Sequence, residues 1–355
     1  MTAVVHDIAV IGAGISGLAA ARKIQESGRN VIVLEKSRGV GGRVATRRMA
    51  VGEHQVPVDH GAQYFTARDR RFQDQVARWQ EAGICFPWSE EFPNWSNGRL
   101  AESPSLWKET RFACRKGMNS LGKHLAEGLP ILRNHRISSV EREGDGWLLH
   151  GHGPEDEVHP AVRARTLFVS APPPQAMTLI GGELSADQRE MVSHIEMAPC
   201  IALMARYPEE TPSPAWPGIR VADPASPLSW IAWDSSRRKT GTPGRFAVLH
   251  ASREYSSRWL AADAEDLGVA GAEMLAAAAG IGGEWMGAPE DFVVHRWRYA
   301  HVGGTGVPGG FIRREGTPGL YLIGDAYNGG RLESAWLSGT FAAEDLLLRE
   351  RKSRN

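Results

Sequence analysis

Cysteine is scarce in this chain. Only Cys85, Cys114 and Cys200 occur among 355 residues, far apart and with no CxxC pair. That argues against a zinc site, a disulfide framework or a dithiol redox centre, and metal is not expected. Reduced thiols in a cytoplasmic protein are the expectation. An excess of one charge is also missing: Lys plus Arg and Asp plus Glu both number 41, so no net field gathers nucleic acid. The local runs Arg68-Asp69-Arg70-Arg71 and Arg237-Arg238-Lys239 read as solvated faces, with contact to an anionic substrate as the second option. No apolar run reaches the length needed to cross a bilayer, and the apolar N-terminal stretch lacks the basic flank of a signal peptide. No internal repeat or long low-complexity segment is found. The remaining composition is ordinary, 42% hydrophobic, in a chain long enough for two domains.

Glycine is plentiful, 40 residues in all, and the first few carry the most information. Residues 8–17 read IAVIGAGISG, and Glu35 stands eighteen residues beyond Gly17. Ile8 to Ile11 suit a buried parallel strand. Gly12 permits a tight turn, Gly14 lets backbone approach a pyrophosphate, and Gly17 lets the next helix pack close to the sheet. The helix is expected over about 15–27, with Gly28 as its left-handed C-cap. Val31 to Leu34 is the second strand, and Glu35 at its end can accept hydrogen bonds from a ribose. The helix N-terminus offers unpaired N–H groups and partial positive charge to phosphates. A glycine-rich turn alone often serves geometry only. Strand, helix, second strand and acid in register define a nucleotide site.

The loop KSRGVGGR comes next at 36–43, where glycines let it run beside a cofactor and Arg43 can pair with a pyrophosphate. Val58 to Phe65 reads as a short strand entering a turn. Phe72, Val76 and Trp79 predict a helix near 69–82, and Asn97-Gly98 predicts a hairpin. Trp79, Trp88, Trp95 and Trp107 read as packing anchors rather than a substrate cage. A short helix is expected over 118–127, a hairpin of 131–143 with 147–151, and a buried strand over 166–171. Prolines 172–174 stop that strand, at a place for the chain to leave one domain for another. Residues 175 to about 295 read as a largely antiparallel unit, with strands at 201–207, 228–233, 246–250 and 292–299. Within it an Ala-rich helix over 263–279 is capped by Asp263.

Near the C-terminus, Leu320 to Asp325 is an apolar strand ending in glycine and an acid. After a loop containing Gly329-Gly330, Ala335-Trp336-Leu337-Ser338-Gly339 open a helix. A second strand–acid–helix unit so far from the first suits a long, extended cofactor better than a nicotinamide dinucleotide alone. Asp325 would bind a polyhydroxyl linker. The helix N-terminus would face the reactive ring and stabilise negative charge at the N1–C2=O edge of a reduced flavin. A plain structural helix is the competing reading.

These segments together resemble the FAD-containing amine-oxidase-like superfamily and, more narrowly, its bacterial renalase-like branch. The matching strings are KSRGVGGR at 36–43, GAQYFTARDRRF at 61–72, HRWRYA at 295–300 and GRLESAWLSG at 330–339. The resemblance implies an α/β flavoprotein. Its Rossmann-like FAD-binding domain would be discontinuous, over 1–70, 112–174 and 300–355, with a mixed or antiparallel-sheet substrate domain over 71–111 and 175–299. It implies FAD contacts from Ala13, Glu35, Lys36, Arg43, Gln63, Tyr64, Phe65, Asp325 and Leu337, and from the main chain of Ile137 at adenine. Gly42, Ala62 and Trp336 adjoin these and are placed in the same contact set. Classical relatives often tether flavin through a cysteine near the C-terminus; here the last is Cys200, so FAD is expected to be non-covalent. Renalase-like enzymes oxidise mis-reduced isomers of NADH or NADPH and pass the electrons to O2, giving hydrogen peroxide. A dihydronicotinamide dinucleotide and O2 are therefore the expected partners, with neither nucleic acid nor membrane. Tyr64, His250, Trp297 and Tyr299 are candidates for the substrate face, with ordinary packing as the other reading of each. The alternatives are an amine oxidase on the same scaffold, a non-catalytic FAD-binding regulatory protein, and an NAD-dependent dehydrogenase.

Overall fold

The computed structural model describes residues 5–101, 108–304 and 306–352, so Trp107 lies outside the described residues. β1 (Val5–Ile11) ends in four buried residues, as a strand covered on both faces requires. The chain turns into α1 (Ile15–Glu26) and returns as β2 (Val31–Leu34), which is buried throughout and parallel to β1. Next comes a hairpin, β3 (Thr46–Val51) with β4 (His54–Asp59). Arg47-Arg48 and Pro57 interrupt the alternation that marks strands, so the sequence signals only the end of this hairpin. The strand expected to begin at Val58 ends at Asp59, and residues 60–64 are loop.

Asp69 caps α2 (Arg70–Glu81) by accepting from Arg71 N and Phe72 N, and the helix buries Phe72, Val76 and Trp79. After β5 (Phe86–Ser89), β6 (Asn94–Ser96) and β7 (Arg99–Ala101) form the hairpin that Asn97-Gly98 predicts, with both turn residues at positive φ. β8 (Arg111–Ala113) pairs with β5 and leads to α3 (Asn119–Ala126). The strand expected over 131–143 is in fact two, β9 (Ile131–Leu132) and β10 (Arg136–Glu143). β9 pairs with β2, while β10 pairs with β11 (Gly146–His152) at the opposite edge of the sheet. The break contains Asn134 at φ +53°, a conformation that asparagine tolerates better than most residues. β12 (Val162–Val169) lies parallel to β1. Prolines 172–174 do more than stop it: Pro172 is the N-cap of α4 (Pro173–Ile180). Proline suits a first helical turn because the N–H it lacks would have no partner there. α5 (Ala186–Ser193) then starts from a Ser185–Gln188 capping box.

The second sheet is built from β13 (Met197–Tyr207), β14 (Gly218–Val221), β15 (Leu228–Trp233) and β16 (Arg245–Ala251). α6 (Arg253–Arg258) and α7 (Ala264–Gly282) precede its long edge strand, β17 (Asp291–Val302). Its order is β17-β13-β16-β15-β14-β6-β7, so the hairpin at Asn97 joins the later strands through a parallel β14–β6 contact. The chain ends with β18 (Ile312–Arg314), β19 (Gly319–Leu322) and α8 (Leu332–Lys352). β19 returns to the first sheet, parallel to β12. That sheet runs β10-β11-β12-β1-β2-β9, with β19 and then β18 branching from β12. The fold is a mixed α/β arrangement with a Rossmann-like unit and a separate, largely antiparallel sheet. α8 lies against α1 at very close range: a Cβ added to Gly339 would sit 2.1 Å from Ser16 O.

Candidate functional site

The first part of the site is made of backbone. Gly12 turns at φ +99°, and a Cβ on Gly17 would lie 2.1 Å from Gly12 O, so only glycine lets α1 start this close to the turn. α1 begins on Gly14 with no side-chain cap and no acid in its first turn. Its leading N–H groups and partial positive charge are therefore available to an anion. Ser16 Oγ is buried there without a hydrogen-bond partner. Glu35, buried at the end of β2, accepts from Ala13 N at 2.7 Å and from Ser37 N at 2.8 Å. A carboxylate offers about four acceptor positions, which leaves capacity for ribose hydroxyls. This is a cradle that fits the phosphate and ribose end of a dinucleotide. Lys36 is exposed at the head of the next loop. Ile137 lies just beyond the point where His135 N donates to Glu35 O at 2.9 Å. The Ile137 side chain packs into the core with Ile11 and Leu34, so only its main chain could meet a base.

The 36–43 loop folds back over this cradle. Gly41 N donates to Ala13 O at 2.7 Å, and a Cβ on Gly42, at φ +57°, would lie 3.3 Å from Gly14 Cα. Arg43 makes a bidentate pair with Asp325, with Nη1 donating to Oδ2 at 2.9 Å and Nη2 to Oδ1, and Nη1 also reaches Ala300 O at 3.3 Å. One ion pair thus joins the first motif to the second across 282 residues. Gly324 N donates to Ser338 Oγ at 3.0 Å, which ties the turn after β19 to α8. The helix starts at Leu332 rather than Ala335, so Glu333 occupies its first turn. Its Oε1 accepts from Arg68 N and Asp69 N at 2.6 Å each. The expected bare positive helix end therefore carries a carboxylate of its own. Trp336 turns its ring to Phe72, centroids 5.5 Å apart, and Leu337 is buried.

Residues 62–65 are held from several sides. Ala62 N donates to Arg43 O at 2.9 Å, and Phe65 exchanges both main-chain bonds with Phe112. The Phe65 ring is buried against Phe72, Trp79 and Phe112, which leaves it no free polar group. Gln63 donates to Gly61 O at 3.0 Å and accepts from Arg237 Nη2 at 3.0 Å. Tyr64 lies among Phe92, Trp230 and Trp88, with ring centroids at 5.3, 5.6 and 6.4 Å.

One face of the second sheet looks toward these residues. Pairing sets Trp230, His250, Ala202 and His295 in a row across β15, β16, β13 and β17, with Cys200 and Trp297 in the next row. His60, absent from the expected set, completes the group. Its ring lies 4.6 Å from His295 and stacks on Trp297 at 5.3 Å, and Trp297 Nε1 donates to His60 O at 2.9 Å. Burial, with His295 beside it, brings the His60 pKa down to about 4. Burial, helped by His301, brings His250 down to about 3, so neither imidazole holds a proton near neutral pH. Burial also lowers His295 and pushes the Cys200 thiol up to about 12. Tyr299 is half-buried further along β17. Adjacent HR and DH pairs in the sequence give no reason to join His60 to His295.

Against Gln63 lies a buried ion network, and it corrects the reading of Arg237-Arg238 as a solvated face. Arg237 is fully buried, pairing with Asp234 and donating to Gln63 O. Arg238 donates to Asp59 Oδ2 at 2.9 Å and to Asp234 Oδ1 at 2.7 Å. Burial alone would raise the Asp59 carboxyl, but Arg238 and Arg237 outweigh it and hold its pKa below the usual value. Lys239 alone of the three is exposed. In the other run, Asp69 is the cap of α2.

Two family matches divide the chain. Residues 10–79 match the NAD(P)-binding Rossmann-like domain, and residues 80–347 match the flavin containing amine oxidoreductases. The chain belongs to the flavin-containing amine oxidoreductase family, and its cofactor is FAD. A 71-residue stretch is 39% identical to the flavin-dependent L-tryptophan oxidase RebO of Lentzea aerocolonigenes, covering 20% of this chain and 15% of that protein. Another, of 42 residues, is 57% identical to amine oxidase [flavin-containing] B of Bos taurus, covering 12% and 8%. A third, of 59 residues, is 51% identical to the lysine-specific histone demethylase 1 homolog 3 of Arabidopsis thaliana, covering 17% and 3%. The chain thus spans only a small part of the curated relatives it matches. Solved structures align over nearly the whole length. Putrescine oxidase bound to putrescine gives a TM-score of 0.72 at 15% identity, covering 98% of this chain and 100% of that one. Cyclohexylamine oxidase from Brevibacterium oxydans IH-35A gives 0.73 at 13%, with the same coverage. At that identity the likeness establishes the fold alone. No described helix is long and apolar enough to cross a membrane.

Proposed function

We propose that this protein is an FAD-dependent oxidase of isomeric, mis-reduced dihydro-NAD(P), with O2 as the electron acceptor. The balance is dihydro-NAD(P) plus O2 plus one proton, giving NAD(P)+ and hydrogen peroxide. Bound FAD supplies hydride acceptance and return of the electron pair to O2. The chain's residues position and shield. Ala13, Gly14 and Glu35 are suited to hold the phosphate and ribose end without a covalent link, with the mutually paired Arg43 and Asp325 beside the linker. Tyr64, His60, Trp297 and Tyr299 offer flat surfaces against which a nicotinamide ring can lie. The observation that carries the reading is the ring face itself, where His60 stacks on Trp297 with centroids 5.3 Å apart and meets His295 at 4.6 Å, its imidazole kept neutral by burial. Hydride donation from a dihydronicotinamide needs no base, so imidazoles that cannot titrate near neutrality are no handicap.

Oxidation of a small amine is the second reading, favoured by the family and by the aromatic group of Tyr64, Trp88, Phe92 and Trp230. One anaerobic experiment separates the two. The visible spectrum of the holoenzyme is followed after adding a borohydride-generated mixture of NADH isomers, then ordinary NADH, then putrescine. Rapid bleaching by the minor isomers alone is the expected result. Bleaching by the amine and not by the isomers would sink the proposal.

A further inference from the structure

We infer that Arg47 forms a phosphate-binding subsite at the edge of the His60–His295–Trp297 face, selecting a diphosphate-bearing substrate over a cationic one. This rests on the dinucleotide reading of the site, but its test does not depend on turnover.

Strand alternation fixes where Arg47 stands. On β3 it shares a face with Met49, which packs in one cluster with Met204, Trp230 and Val293 of the second sheet. Its partner on β4 is Val58, a member of the same cluster, and His60 is two residues further along that strand's path. On β17, His295 is likewise two residues beyond Val293, and it meets His60 at 4.6 Å. Arg47 therefore borders the ring face from the hairpin side. In agreement, its charge helps to lower both His60 and His295.

Arg47 is exposed and has no hydrogen bond or ion pair among the described residues. The other cations near the face are occupied: Arg43 by Asp325, Arg237 and Arg238 by Asp59 and Asp234. With those carboxylates neutralised and the histidines uncharged, Arg47 adds to the positive charge that Arg111, over the Tyr64 and Phe92 rings, brings to this side of the site. An ammonium is repelled there. A phosphate is attracted, and a guanidinium can meet it with two parallel N–H groups.

The test titrates FAD-loaded protein with ADP-ribose, which has the diphosphate but no nicotinamide and cannot donate hydride. Arg47→Ala should raise its Kd about tenfold at unchanged FAD content. Arg47→Gln, which keeps the side chain's length, should do the same, while the remote exposed variant Arg99→Ala should not. Inorganic phosphate serves as a second titrant, and it should bind far more weakly than ADP-ribose. Failure of the wild type to bind ADP-ribose, or equal losses in the Arg47 and Arg99 variants, would overturn the subsite. So would inorganic phosphate binding as tightly as ADP-ribose. Failure of the isomers to bleach the flavin would overturn the oxidase proposal separately.

Discussion

His60 and His250 are each ringed by groups that discourage a proton. His60 faces His295 and Arg47, with Asp59 as the opposing influence; His250 faces His301, His60 and Arg237. In an unfolded chain both would titrate near 6.5. Between about pH 6.5 and 4 the unfolded state therefore binds protons that the folded state refuses, and stability falls as pH drops through that window. The slope is about 1.4 kcal/mol per pH unit for each histidine, and above the window the effect vanishes. Denaturant midpoints of the holo-protein should fall between about pH 6.5 and 5, and His60→Gln should flatten the fall. A wild-type midpoint that stays constant over that range would mean these imidazoles titrate normally. At this scale the turn at Gly12 and Gly14 and the strand-end positions of Glu35 and Asp325 were legible because a local pattern surrounds each. His60 and His295 were not, since nothing in either neighbourhood announces a partner in a different sheet.

Among elements, the contact of α1 with α8 joins the N-terminal glycine motif to the C-terminal one. Gly339 places its α-carbon against the main chain of Ser16, and backbone cannot be moved aside as a flexible side chain can. Gly339→Ala should separate the helices and cost about 1–3 kcal/mol, with a matching loss of FAD retention. Gly182→Ala is the control, because nothing lies within 4 Å of a Cβ there. Equal melting temperatures for the two variants would deny the contact its role. Both sides of this contact sit in readable strings, IAVIGAGISG and GRLESAWLSG. The hairpin of β3 and β4 was hidden by its own arginines and Pro57, and the division of β9 from β10 by the sheet's need to use both edges.

For the molecule as a whole, the network of Asp59, Asp234, Arg237 and Arg238 links the hairpin, the second sheet and the loop at Cys114, where Arg238 Nη1 donates to Cys114 O at 3.2 Å. Removing one member leaves buried carboxylate charge without enough partners. Arg238→Met should destabilise the fold by about 3–5 kcal/mol in chemical unfolding. A loss below about 1 kcal/mol would mean that water enters and solvates the network. A run of like charge looks solvated in sequence because its counter-ions, Asp59 among them, lie as far as 179 residues away. The second sheet, by contrast, was visible in the candidate strands at 201–207, 228–233, 246–250 and 292–299, each of which lies within one of its strands.

The bond between Arg43 and Asp325 also sets an order of events on the ribosome. At roughly 5–20 residues per second, Asp325 is synthesised about 15–55 s after Arg43. The glycine turn and the loop after it can form first, but the Arg43 guanidinium waits for a counter-ion 282 residues further on. A nascent chain that has not reached Asp325 leaves Arg43 without this partner, so the two motifs join only after 282 further residues have been made.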